Sequence, residues 1–135
     1  MRRYSSLLLA LAAVVSTGSA AIAQSTMTRT PLASPIELSG RSGGPQSSAC
    51  GNINPSTGQR VQVTESFASL DFEVQSQGNY TLLIKGPGGF EECVFAHNYD
   101  GGVIKSPGLL NRGEYQVFVG DRNGESHPYT LSIRQ

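Results

Sequence analysis

Tyr80-Thr81-Leu82-Leu83-Ile84-Lys85-Gly86-Pro87-Gly88-Gly89-Phe90-Glu91-Glu92-Cys93 reads as an apolar strand, a tight turn and a second strand that ends on one of the chain's two cysteines. Tyr80, Leu82 and Ile84 fall on one face of the first strand and Leu83 on the other, because successive strand side chains point to opposite faces. Pro87 presets φ for the turn, and Gly88 accepts the positive φ that other residues resist.

Working outward, the same period of two recurs on both sides. Upstream, Leu70, Phe72 and Val74 alternate with Asp71, Glu73 and Gln75, so one face enters a core while the other stays wet. Val61 and Val63 alternate with Gln62 and Thr64, and Ile36 and Leu38 flank Glu37 in a short edge strand that begins after Pro35. Between them, Ser39 to Ser48 reads as a Gly-, Ser- and Pro-rich loop leading to Cys50, and Asn54 to Gly58 as a turn.

Downstream, Glu91 to Gly102 reads as a strand end followed by a surface loop, and Val103 and Ile104 begin a short strand or loop edge. Tyr115, Val117 and Val119 alternate with Gln116 and Phe118, and Tyr129, Leu131 and Ile133 form a closing strand. Asp121-Arg122-Asn123-Gly124 between them predicts a hairpin, since Asn-Gly accepts the positive φ values of a type I′ turn. No stretch beyond residue 23 keeps a helical period over three turns, so the fold class is all-β, an antiparallel two-sheet β-sandwich. Tyr115, at a strand start after Gly113-Glu114, fits a tyrosine corner, although buried packing explains the residue equally well.

The first 23 residues have the features of a cleaved secretory signal: Arg2 and Arg3, an apolar run from Leu7 to Val15, and Ala21-Ile22-Ala23 as a cleavage site. The apolar run is broken at Ser16 to Ser19, short of the roughly 20 residues a membrane span needs. The expected organisation is therefore a signal peptide over 1–23, a flexible lead-in over 24–33 and a single β-sandwich domain over 34–135, exported to the periplasm or beyond. No later segment is long and apolar enough to span a membrane.

The whole chain carries ten basic and ten acidic side chains, and loss of Arg2 and Arg3 with the signal leaves eight against ten. With Lys85 and Lys105 as its lysines, the chain lacks the clustered positive charge of a nucleic-acid or anionic-membrane binder. In an oxidising compartment two cysteines most simply make one disulfide, Cys50 to Cys93. Their separation lacks zinc-site spacing, and a catalytic thiol at one would leave the other without a role.

Thr81-Leu82-Leu83-Ile84-x-Gly86-Pro87-x-Gly89, then Cys93, then Gly113-x-Tyr115-x-Val117-x-Val119-Gly120 and Tyr129-Thr130-Leu131-x-Ile133 resemble bacterial pre-peptidase C-terminal domains over roughly the last half of the chain. The resemblance implies a jelly-roll-like sandwich that accompanies secreted enzymes without itself being catalytic, with a role in binding, secretion or stability. Members of that family often carry paired aspartates just after the cysteine. This chain instead has His97-Asn98, with Asp100 nearby.

Four sets of residues invite a chemical reading. Gly40-Arg41-Ser42-Gly43-Gly44 matches the Gly-x-Ser-x-Gly nucleophile elbow, but that motif needs a strand before it and a helix after it, and here it lies in a predicted loop. His97 and His127, with Asp100, Glu91 or Glu92, offer metal or acid/base groups without a spacing motif or a nearby nucleophile. The oxygen-rich loop containing Asn98 and Asp100, with Glu91, suits calcium better, since hard cations favour such loops. Finally, Phe90, Phe95, Tyr99 and Phe118 offer an aromatic patch for a glycan or peptide, with core packing as the competing explanation.

These residues predict a non-catalytic binding or accessory module with no obligatory cofactor. Its ligand loop is centred on Phe90, Phe95, His97, Asn98, Tyr99 and Asp100, its partner is a protein or glycan of the cell envelope, and the chain is expected to be monomeric. A structural, self-associating envelope protein is the alternative. A small hydrolase ranks behind both, because no nucleophile, base and orienting group assemble from these residues.

Overall fold

A computed structural model describes residues 27–135, and the signal-peptide reading of residues 1–23 lies outside them. Eleven strands make two sheets packed face to face. They are β1 (Thr28–Arg29), β2 (Ile36–Arg41), β3 (Gln46–Ser48), β4 (Gly51–Ile53), β5 (Gln59–Val63), β6 (Ala68–Gln75), β7 (Tyr80–Lys85), β8 (Glu91–Phe95), β9 (Ile104–Leu110), β10 (Gly113–Asp121) and β11 (Pro128–Arg134). The larger sheet is built around β10, which pairs with β7 along one edge and with β5 and then β4 along the other. Beyond them lie β8, β1 and β3. The smaller sheet has the order β2-β11-β6-β9.

The alternating residues meet between the sheets as the period of two requires. Val61, Val63, Tyr80, Leu82, Ile84, Tyr115, Val117 and Val119 from the larger sheet pack on Leu70, Phe72, Val74, Ile104, Leu131 and Ile133 from the smaller. Strand β7 is buried on both faces. Leu83 points away from this core, yet it is closed off in a second cluster with Cys50, Ile53 and Phe118. The chain entering β4 lies over that outer face, where the Thr81 hydroxyl donates to the Cys50 carbonyl at 2.6 Å. The Cys50–Cys93 disulfide is formed and fastens this covering segment to β8. The all-β sandwich and its one disulfide are thus as read from the sequence. The turn after β7 is also as expected, with Gly88 at φ 68°.

Several local readings are corrected. The lead-in joins the sandwich: Thr28 and Arg29 pair in parallel with Val61 and Gln62, the one parallel pairing among the described strands. Buried Thr30 donates from its backbone to the Gln62 carbonyl and accepts from the Thr64 hydroxyl. The domain therefore begins by Thr28 rather than at residue 34. The predicted 39–48 loop holds the end of β2 and all of β3. Pro107 does not interrupt β9, because that strand is a sheet edge, where a missing N–H costs no ladder bond.

The predicted β10–β11 hairpin is absent. The two strands belong to opposite sheets, and residues 122–127 carry the chain across the sandwich. Gly124 has φ 71°, but Asn123 does not take the positive φ that a type I′ turn demands of both central residues. The Asp121 carboxylate directs this path instead, its Oδ1 accepting from the backbone N–H of Asn123 at 2.8 Å and of Glu125 at 3.1 Å. The tyrosine corner is present: the Tyr115 hydroxyl donates to the Asn111 carbonyl at 2.9 Å.

Candidate functional site

The loop expected to bind a ligand follows β8 as two short 3-10 turns, Ala96–Asn98 and Asp100–Gly102. The Phe95 ring stacks on the His97 imidazole at 5.6 Å and carries the Arg122 guanidinium 4.8 Å from its centroid. Tyr99 turns partly inward against the main core, while His97, Asn98 and Asp100 are exposed. Phe90 stands at the other end of β8, edge-on to Tyr115 at 5.7 Å. Phe118 is buried in the second cluster. The aromatic residues therefore divide between the two ends of β8 and the interior, and do not make one patch. Glu91 is likewise separated from Asn98 and Asp100 by the length of β8, so these three do not converge on one cation.

A different feature is formed where the sequence suggested only a loop. A cleft of about 650 Å³ opens between the end of β2 with the segment after it, Leu38 to Gly44, and the 54–59 turn, with Ser126 and Tyr129 completing it. Its polar groups are hydroxyls and amides from Ser39, Ser42, Asn54, Ser56, Thr57, Gln59 and Ser126, joined by the Arg41 guanidinium. The guanidinium is held in place by Ser126, donating to its hydroxyl at 3.2 Å and its carbonyl at 3.1 Å. Gln59 donates to the Tyr129 hydroxyl at 3.2 Å, fixing the amide against the ring. The N-terminal side of the turn is pinned by the Asn54 side chain, which accepts from the Ser56 N–H.

The elbow-like serine has a structural assignment. Ser42 is buried, and its hydroxyl accepts from the backbone N–H of His127 while its own N–H donates to the His127 carbonyl. No helix follows it, and the His127 imidazole faces Glu125 instead, with Nε2 2.9 Å from Oε2. Among the described residues, no carboxylate, imidazole or thiol lines the cleft. Behind its Ser42–Gly43 wall, one ligand atom each from Asp121, Glu125 and His127 lie within 4.8 Å of one another. His127 was singled out from the sequence, whereas Asp121 and Glu125 were not. Their signal was the spacing Asp-x-x-x-Glu-x-His across a segment read as a hairpin turn.

A protein of Synechococcus elongatus, itself described as uncharacterized, is 36% identical to this chain over 137 residues, covering 98% of each. The chain belongs to that protein's family. No protein-family model matches it. Among solved structures, it is similar to the pre-peptidase C-terminal domain of a collagenase from Bacillus anthracis, at 15% identity and a TM-score of 0.49, with 81% of this chain and 95% of that one covered. It is also similar to PliG, a periplasmic lysozyme inhibitor of g-type lysozyme from Salmonella Typhimurium, at 15% identity and a TM-score of 0.42, covering 80% and 96%. Among the described residues, no helix is long and apolar enough to cross a membrane.

Proposed function

We propose that this chain is a non-catalytic, exported binding module whose ligand is a hydroxyl-rich glycan of the cell envelope, held in the cleft between Leu38–Gly44 and the 54–59 turn. The observation that carries this reading is the composition of the cleft: short hydroxyl and amide groups and one anchored guanidinium set on a largely apolar surface, with no carboxylate, imidazole or thiol among its described lining residues to activate a hydroxyl. A neutral or weakly acidic polyol satisfies such a surface through many individually modest hydrogen bonds. Arg41 adds the one charge-assisted contact, held ready by its two bonds to Ser126. Export is supported by the signal-like residues 1–23 and by the disulfide.

Co-sedimentation with insoluble cell-wall polysaccharide tests this reading. Retention of the wild-type chain is expected, with Arg41→Ala weakening it by about tenfold, as expected for loss of a hydrogen bond from a charged donor. Thr57→Trp, which fills the cleft, should abolish it, while Phe90→Ala at the far end of β8 should leave it unchanged. Retention unaffected by Arg41→Ala and Thr57→Trp would overturn the assignment.

A second reading, self-association, is favoured by one observation. The large apolar side chains exposed among the described residues are Phe67 (67%), Leu109 (68%) and Phe90 (36%). Phe90 and Leu109 line one pocket together with Ser66, the neighbour of Phe67. Phe67 is held at φ 58°, a strained conformation for a bulky side chain. Sedimentation velocity at high concentration should reveal an oligomer that Phe67→Ser dissolves; a strict monomer removes this reading.

A further inference from the structure

Asp121 is completely buried, and its Oδ2 is the one buried side-chain oxygen or nitrogen among the described residues that lacks a hydrogen-bond partner. A buried carboxylate is normally paired or bound to a cation, because its desolvation is otherwise uncompensated. Neither Asp121 nor Glu125 has a Lys or Arg within ion-pair distance among the described residues. The other carboxylate oxygen is already committed, since Oδ1 accepts from the N–H groups of Asn123 and Glu125. Those two bonds also fix the orientation of the free oxygen. Outer hydrogen bonds position metal-ligating carboxylates in the same way.

We propose that Asp121, Glu125 and His127 form a binding site for a divalent transition cation of the zinc type. The ligands are Asp121 Oδ2, a Glu125 carboxylate oxygen and His127 Nε2, with a further position open to water or an external group. One imidazole with two carboxylates is a donor set that suits zinc and its neighbours better than calcium, which takes oxygen ligands almost exclusively. Metal–ligand distances of about 2.0–2.2 Å place tetrahedral ligand atoms roughly 3.3 Å apart. The present spacings, 2.9 Å between the His127 and Glu125 atoms and up to 4.8 Å across the set, bracket that separation. The two side chains that must adjust are the accessible ones, His127 at 27% and Glu125 at 55% exposure. Room beside them is kept by Gly78 at φ 74°, where a Cβ would stand 3.2 Å from His127 Nε2 and 3.4 Å from Glu125 Oε2. The site is independent of the glycan reading, since none of its three ligands lines the cleft.

Isothermal titration of the untagged, chelator-stripped protein with zinc chloride tests the proposal, with calcium chloride as a parallel arm. The expected result is one equivalent bound, with Glu125→Gln and His127→Gln each weakening affinity at least about tenfold. His97→Gln, which removes the other histidine, should leave binding unchanged. Both informative variants alter accessible side chains, and circular dichroism confirms that they fold. No stoichiometric binding at about 100 µM zinc would overturn the site, as would binding that survives His127→Gln but not His97→Gln. Calcium bound in preference to zinc would overturn the cation assignment.

Discussion

Tyr80 and Tyr115 each bring a phenol into buried surroundings, and each satisfies it with backbone. The Tyr80 hydroxyl lies against the carbonyls of Val74 and Gly102, which ties the loop after β8 to the main core. Tyr115 closes the corner at Asn111. Burial raises both phenols above their ordinary value near 10. A phenol with a raised folded pKa keeps its proton after the unfolded chain has lost it, so its contribution to stability is complete below the unfolded value and falls as pH rises past it. Urea midpoints are therefore expected to hold steady around pH 8 to 9 and to decline above about pH 10, with the decline reduced in a Tyr80→Phe, Tyr115→Phe double variant. At neutral pH, Tyr115→Phe alone should cost about 1 kcal/mol, measured by chemical denaturation, for the loss of one intramolecular hydrogen bond.

At the scale of elements, β7 differs from its neighbours in having no wet face. Its alternation marked Leu83 as facing away from Tyr80, Leu82 and Ile84, and the covering segment from Cys50 to Ile53 makes that second face a core as well. Leu83→Ala is accordingly expected to destabilise the domain by about 2–5 kcal/mol in urea unfolding, the range for a fully buried leucine, where an exposed position would give little change. The short strand β1 makes a comparable claim for the N-terminal segment. Protein beginning at Ala33 should melt below protein beginning at Gln24, because it lacks the pairing with β5 and the Thr30 bonds to Gln62 and Thr64. Equal melting temperatures would mean that β1 adds nothing to stability. The crossing from β10 to β11 shows where element-level signals fail. Asn123-Gly124 has hairpin chemistry, but the Asp121 carboxylate captures two N–H groups of the same segment and sends it to the other sheet.

For the molecule as a whole, the disulfide joins residues 43 apart, a closure that restricts the unfolded chain by about 4 kcal/mol in the chain-entropy picture. Reduction, or a Cys50→Ala, Cys93→Ala pair, should lower stability by up to that amount, and thiol titration of the unreduced protein should find no free groups. The sequence by itself determined the all-β class, the inward residues of the main strands and the cysteine pair, while the corner it suggested at Tyr115 was decided by the hydroxyl's bond to Asn111. The class, the inward residues and the cysteine pair follow from a period of two, from local turn chemistry or from a count of two thiols. The tertiary structure alone decided which strands share a sheet, what covers Leu83 and Phe118, and that the Phe90 to Asp100 residues spread along β8. It also brought Arg41 to Gly44 beside the 54–59 turn, and gathered a carboxylate oxygen of Asp121 within 4.8 Å of ligand atoms of Glu125 and His127. The physical reason is that alternation assigns a side chain to a face but says nothing of which distant strand will pair beside it or what will close over its other side.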